Sequence, residues 1–147
     1  METKNMNIKK LLIATAAAFA VMFGVGGLTH LVLFKDWLLN HPGLAGNINR
    51  PEPMLQYTIA ALLLLAFIMA YLYPKGMEGD NKIMQGLKFG IIISVLFFFP
   101  CNLIQYSMTT ALSMKAILMD AVLHAVEQGL GGIVIALVYG NEVMMKK

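Results

Sequence analysis

Four stretches of this chain are each long and apolar enough to cross a bilayer, which takes about 20 mostly apolar residues per helix. They run from Leu11 to Phe34, from Met54 to Tyr73, from Ile83 to about Met108 and from about Ser113 to Tyr139. The connections between them leave no room for a soluble domain. The expected fold is therefore all-α, a transmembrane four-helix bundle, with residues 1–147 forming one integral-membrane domain. Composition agrees. Apolar residues make up 59% of the chain and charged residues 13%, about half the charged share of a soluble domain. So few charges cannot coat a water-exposed surface, and so much apolar surface excludes a disordered chain. The single Cys excludes an intramolecular disulfide framework and a Cys-based zinc knuckle.

The first span has some features of a signal peptide. Lys9 and Lys10 precede an apolar run that contains Ala16, Ala17, Ala18 and Ala20. That run continues to Phe34, too far for a cleaved segment, so it is expected to be a retained helix. Orientation follows the Lys/Arg bias. With the N-terminus inside, Lys4, Lys9, Lys10, Lys75, Lys82, Lys88, Lys146 and Lys147 are cytoplasmic, against Lys35, Arg50 and Lys115 outside. Both termini are expected in the cytoplasm, and the chain in a bacterial inner membrane. Tyr71, Tyr73 and Trp37 sit where interfacial anchors belong. The lysines form no basic stripe. Their expected partner is anionic membrane lipid and not nucleic acid.

The longest connection, Lys35 to Pro53, carries His41, Pro42, Gly43, Gly46, Pro51 and Pro53 and reads as turn-rich instead of helical. Trp37, Leu38 and Leu39 are suited to lying in the interface. The segment Pro74 to Lys82 reads as a tight solvated turn. The connection near Thr109 to Ser113 is so short that the last two helices must form a hairpin. Glycines mark close packing: Gly24, Gly26 and Gly27 in the first helix, a GxxxG of Gly86 and Gly90 in the third, and Gly129, Gly131 and Gly132 in the last. Packing within one chain is the expectation, with a dimer interface as the second reading.

The last helix carries the chemistry. At about 100° per residue from Asp120, His124 falls near about 40°, Glu127 near about 340° and Gln128 near about 80°. All four lie on one stripe, with Gly131 among them. A charged group at a helix centre costs about 2.5–3.5 kcal/mol on insertion scales, so this stripe must face the bundle interior or a wet cavity. At 1.5 Å per residue, Asp120 lies about 10 Å from the outer end and His124 about 16 Å. His30, with Thr29 beside it, lies about 6 Å from the outer end of the first helix. Asn102, Gln105 and Tyr106, with Cys101 beside them, come from the third helix, and Tyr57 and Thr58 from the second. Pro100 is placed to kink the third helix and free a carbonyl near Leu96. Acids and imidazoles without a deep Lys or Arg favour a cation, a proton or a polar neutral ligand.

Several readings use these residues. Hydrogen-bonded glue within the bundle is the plainest for Asn102, Gln105, Thr29 and Tyr57. For Asp120, His124 and Glu127 it means a pair one turn apart beside a protonated acid. A path of Asp120, His124 and Glu127 leading inward is another. No cofactor is expected, but His30, Asp120 and His124 offer a simple metal site. A full di-iron centre lacks its second acidic set. Haem between His30 and His124 is strained by the difference of about 10 Å in depth. Cu(I) on Met108, Met114, Met119 and Cys101 is weaker than adaptable packing by methionines. Cys101 reads as a small apolar filler. No nucleophile and base stand together with an orienting partner, and no phosphate loop is present, so an enzyme is not expected.

Three segments carry a resemblance: LVLFKDWLLNHPG at 31–43, YLYPKGMEGDNKIMQGLKFGIIISVLFFFP at 71–100 and DAVLHAVEQGLGGIVIALVYG at 120–140. The chain resembles small four-helix bacterial membrane proteins grouped as uncharacterised families, or domains of unknown function. The resemblance implies fold and membrane location, and no substrate. The leading functional expectation is binding or conduction of a small cationic or polar species in an outward-facing polar pocket. Asp120, His124, Glu127, His30, Asn102 and Gln105 are its binding candidates, and conduction would call for a homo-oligomer. The alternative is a non-catalytic accessory subunit whose polar stripe faces a larger membrane-protein partner.

Overall fold

The computed structural model describes residues 7–46, 50, 52, 54–76 and 81–140. Lys4, Lys146, Lys147, Pro51, Pro53 and residues 77–80 of the turn expected at 74–82 lie outside these residues. Helix α1 spans Ile8–Leu28 and runs on as a π-helical turn over Thr29–Leu33. It is followed by a short α2 at Lys35–Leu39, then α3 at Leu55–Gly76, α4 at Lys82–Met108 and α5 at Met114–Tyr139. No strand occurs among the described residues. Four of these helices are long and apolar enough to cross a membrane, and the chain is a multi-pass membrane protein built as an all-α four-helix bundle.

Local chemistry sets the ends of the helices. The side chains of Asn7, Asn81 and Ser113 accept hydrogen bonds from the backbone N–H groups of Lys10, Met84 and Ala116. Each satisfies a donor that the first turn leaves orphaned. Asn7 thereby starts α1 at Ile8, a turn before the apolar run begins. At its other end α3 passes through Pro74 to Gly76, so the segment expected as a turn begins as helix. Proline removes the N–H that would bond the Ala70 carbonyl, and the Tyr139 hydroxyl supplies the missing donor at 2.9 Å. Tyr73, edge-on to Phe89 with ring centroids 5.3 Å apart, closes the same end.

The helices run alternately up and down, so one end of the bundle gathers α2, residues 40–46 and the 109–113 connection. We call this the loop end, and the opposite end the terminal end. Helix α5 packs along α4 and α1, and α1 along α3, whereas α3 scarcely touches α4. Helix α5 is therefore the inner element and α3 a peripheral one. The middle of the core is rich in small or flexible side chains, Ala14, Ala18 and Met22 from α1, Ala66, Met69 and Ala70 from α3 and Ala136 from α5, joined by Ile93 and Ile135 and by the aromatic rings of Tyr73, Phe89 and Tyr139. Small residues suit a bundle whose outer face is lipid. Leucines, isoleucines and phenylalanines such as Leu64, Ile92, Phe97, Leu118 and Val122 point outward.

The α4–α5 hairpin is a backbone contact. A Cβ added to Gly86 would lie 2.7 Å from the Cα of Ile133, and one added to Gly90 would lie 2.7 Å from the Cα of Gly129. The GxxxG of α4 is therefore spent within the chain. In α1 only Gly26 faces a neighbour, Glu127. Gly24 and Gly27 have nothing within 4 Å of an added Cβ, which corrects the expectation that all three pack.

Candidate functional site: a His–Asp–His cluster beneath a cavity

The site begins with a departure from α-helical geometry. Phe34 donates its N–H to the carbonyl of Thr29 at 2.9 Å, a five-residue step that widens the end of α1. His30 sits in this widened turn. Its Nδ1 lies 3.2 Å from the Gly26 carbonyl and 3.1 Å from Thr29 Oγ1. The Thr29 hydroxyl itself donates to the carbonyl of Val25 at 2.9 Å. A carbonyl can only accept, so these partners place the imidazole proton on Nδ1. His30 Nε2 is left facing across the bundle toward α5.

There it meets Asp120. His30 Nε2 stands 3.3 Å from Asp120 Oδ1, and His124 Nε2 stands 3.6 Å from the same oxygen. Asn102 of α4 donates its Nδ2 to the other oxygen, Oδ2, at 2.8 Å. One carboxylate is thus held by an amide on one side and addressed by two imidazoles on the other. The two imidazole centroids are 5.3 Å apart. Phe98 stacks on the face of His124 at 3.8 Å, with ring planes 18° apart, and so fixes the plane of that ring. One turn further along α5, Glu127 Oε2 lies 3.4 Å from His124 Nδ1, out of hydrogen-bond alignment. Glu127 is buried against Gly26 and accepts a bond from Gln128 Nε2 at 3.2 Å. The stripe on α5 therefore faces α1 and α4 of its own chain.

Above the cluster lies a cavity of about 320 Å³ that opens at the loop end. Asp120 and Asn102 form its floor. Gln105, Leu38, Leu39, His41 and Ala116 are among its walls. At about 30 Å³ of liquid per water molecule, it holds on the order of ten waters. The rim is a backbone clasp between two connections. Ala45 donates its N–H to the Thr110 carbonyl at 3.0 Å, and Ser113 Oγ donates to the His41 carbonyl at 2.7 Å. Gly43 approaches the 110–112 backbone too closely for any side chain, and Gly46 has φ +74, a conformation that favours glycine. His41 is stacked on Trp37, with centroids 4.1 Å apart.

The structure revises several expectations. The depths of His30 and His124 do not differ by about 10 Å, because the helices do not end level. Helix α5 starts beside His41 and Pro42, well past the end of the first span. Residues 35–39, expected as part of a turn-rich loop, are helical, since the first Pro and Gly of that connection come only at Pro42 and Gly43. Leu38 and Leu39 wall the cavity. Gln105 reaches the cavity but makes no side-chain bond to the cluster. Its carbonyl instead accepts from Thr109. Tyr57, Thr58 and Tyr106 are exposed on the outer face and do not join the site. Cys101 is exposed as well, not a filler in the core. Leu96 and Pro100 are not among the cavity residues.

Phe98, the Gly26 carbonyl as a partner of His30, and the π-helical turn escaped the sequence. Phe98 is one aromatic in the apolar run of α4 with no sequence mark of its own, and nothing in THLVL distinguishes a π-helical turn from an α-helical one. Comparison with protein-family models, with curated proteins and with solved structures finds no match to this chain.

Proposed function

We propose that this protein binds a small cation in the membrane, in the pocket entered from the loop end. One observation carries the reading: two imidazoles and two carboxyl groups converge within the bundle, and the residues they touch include no Lys or Arg. Charged groups at this depth are costly unless paired, and a cation pairs with this set. The cavity supplies a wet route to Asp120. Binding is favoured over conduction because the ionisable residues of the stripe end at Glu127, and beyond it and Gln128 the buried polar side chains are isolated ones, Thr15, bonded to its own helix, and Gln85. Toward the terminal end the core continues through Met22, Ala18, Ala14, Ile135 and Ala136, all buried and apolar. The chain of ionisable groups therefore stops partway along the bundle. We place the loop end outside the cell on the Lys/Arg bias, in a bacterial inner membrane.

The test is a thermal melt of detergent-purified, tag-free protein against Na⁺, K⁺, Ca²⁺, Zn²⁺ and tetramethylammonium. A ligand at 100 times its Kd stabilises by about 2.7 kcal/mol. At least one cation should raise the melting temperature of the wild type by several degrees and leave Asp120→Asn unmoved. A panel with no effect, or equal shifts in both proteins, overturns the reading.

A further inference from the structure

We propose that the cation is a divalent transition metal of the zinc class, held by His30, Asp120 and His124 with a fourth position open to the cavity. This rests on the cation-binding reading and narrows it. Three independent features of the geometry carry it.

The first is spacing. Zinc bound by imidazole nitrogen and carboxylate oxygen has bonds of about 2.0–2.2 Å. Tetrahedral ligands at that radius stand about 3.3–3.6 Å apart. The two nitrogen-to-carboxylate edges here are 3.3 and 3.6 Å. One donor atom from each of the three residues lies within 4.8 Å of the others, so closing the third edge takes only a tilt of the imidazole rings.

The second is the orientation of lone pairs. With Nδ1 bonded to the Gly26 carbonyl, His30 turns its Nε2 toward Asp120 Oδ1 at 3.3 Å. Two lone pairs facing each other repel unless a proton or a metal ion lies between them. The same holds on the other side, where His124 has its Nδ1 edge toward Glu127 and its Nε2 toward the same oxygen. Two imidazole nitrogens and one carboxylate oxygen thus converge on one point, where a metal ion can take the place of bridging protons.

The third is the outer support. Metal-bound histidines donate their second nitrogen to a carbonyl or carboxylate, which fixes tautomer and ring direction. The Gly26 carbonyl stands in that place for His30 and Glu127 for His124. His124 Nδ1 is buried without an aligned partner, and a small ring rotation on metal binding would align it with Glu127. Asn102 holds Oδ2 and leaves Oδ1 for the metal. Two nitrogen donors disfavour Ca²⁺, Mg²⁺ and alkali cations, which take oxygen ligands.

Chelator-treated protein, purified without a His tag, is titrated with Co²⁺ alone. One Co²⁺ per chain should bind with the intense visible absorption of four-coordinate cobalt, and Zn²⁺ should bleach it. His30→Ala, His124→Ala and Asp120→Asn should abolish the spectrum. Asn102→Ala, which leaves all three ligands in place, should keep it and weaken affinity about 10–100-fold. Asp120→Asn is nearly isosteric, so its loss of signal in a protein that still melts cooperatively separates ligation from folding. No stoichiometric Co²⁺, or a weak spectrum unchanged in the variants, overturns the metal site. If Na⁺, K⁺ or tetramethylammonium still stabilises the wild type through Asp120, only the metal assignment falls. If no cation does, the cation reading falls with it.

Discussion

The Ala70 carbonyl shows how a single residue is accommodated where lipid offers no substitute partner. Pro74 removes its helical donor and Tyr139, on another helix, replaces it. Both ends of that bond are buried. Tyr139→Phe should therefore cost on the order of 1 kcal/mol, between the average for interhelical bonds in membranes and the penalty of an unpaired buried carbonyl. The pairing with Pro74 makes the prediction sharper. In a Pro74→Ala background the backbone N–H returns to Ala70, so the same Tyr139→Phe change should cost much less. A double-mutant cycle in a detergent denaturation assay measures the difference. Equal costs in both backgrounds would show that Tyr139 acts by packing alone. Neither partner was legible as such. Pro74 read as the start of a turn and Tyr139 as the end of a span, and only the antiparallel fold brings them together.

At the scale of the elements, the glycines separate into those that permit a contact and those that merely lie beside lipid. Gly90→Ala would drive a methyl group into the Gln128 carbonyl, backbone that cannot move aside. Overpacking of this kind costs about 1–3 kcal/mol, and the hairpin that carries Asp120 and Asn102 would splay. Gly24→Ala meets open space and should be neutral, or stabilising by up to about 1 kcal/mol through helix propensity. Thermal melts of the two variants check the contrast, and similar shifts for both would refute it. The helices themselves were legible because span length and apolarity are one-dimensional properties. The stripe of Asp120, His124 and Glu127 was legible from helical spacing for the same reason. What the residues could not reveal was relative height. Helix α5 starts beyond the end of α1, held there by the clasp at His41 and Ser113, and a count from each helix end misplaced His30 against His124. The peripheral station of α3 was equally hidden, so Tyr57 and Thr58 were counted toward a site they do not reach.

At the scale of the whole molecule, the polar cluster, its cavity and the 40–46 clasp all lie toward one end, while among the described residues the other end is packed largely by aromatic and apolar side chains. A pocket with one mouth samples one compartment, so the side of the membrane that the loop end faces decides which pool of cation the protein can meet. We propose, on the Lys/Arg bias, that this end faces outside. Leu44, at the tip of the clasp, is 93% exposed and gives a direct probe. In a Cys101→Ser background, Leu44→Cys should react with a membrane-impermeant maleimide in intact spheroplasts as fully as after lysis. Its side chain supports neither the cluster nor a helix contact, so the substitution should leave cation-dependent melting unchanged. Labelling seen only after lysis would turn the molecule over and make the pocket a sensor or store of the cytoplasmic pool, with the chemistry of the cluster intact and its source of cation reversed.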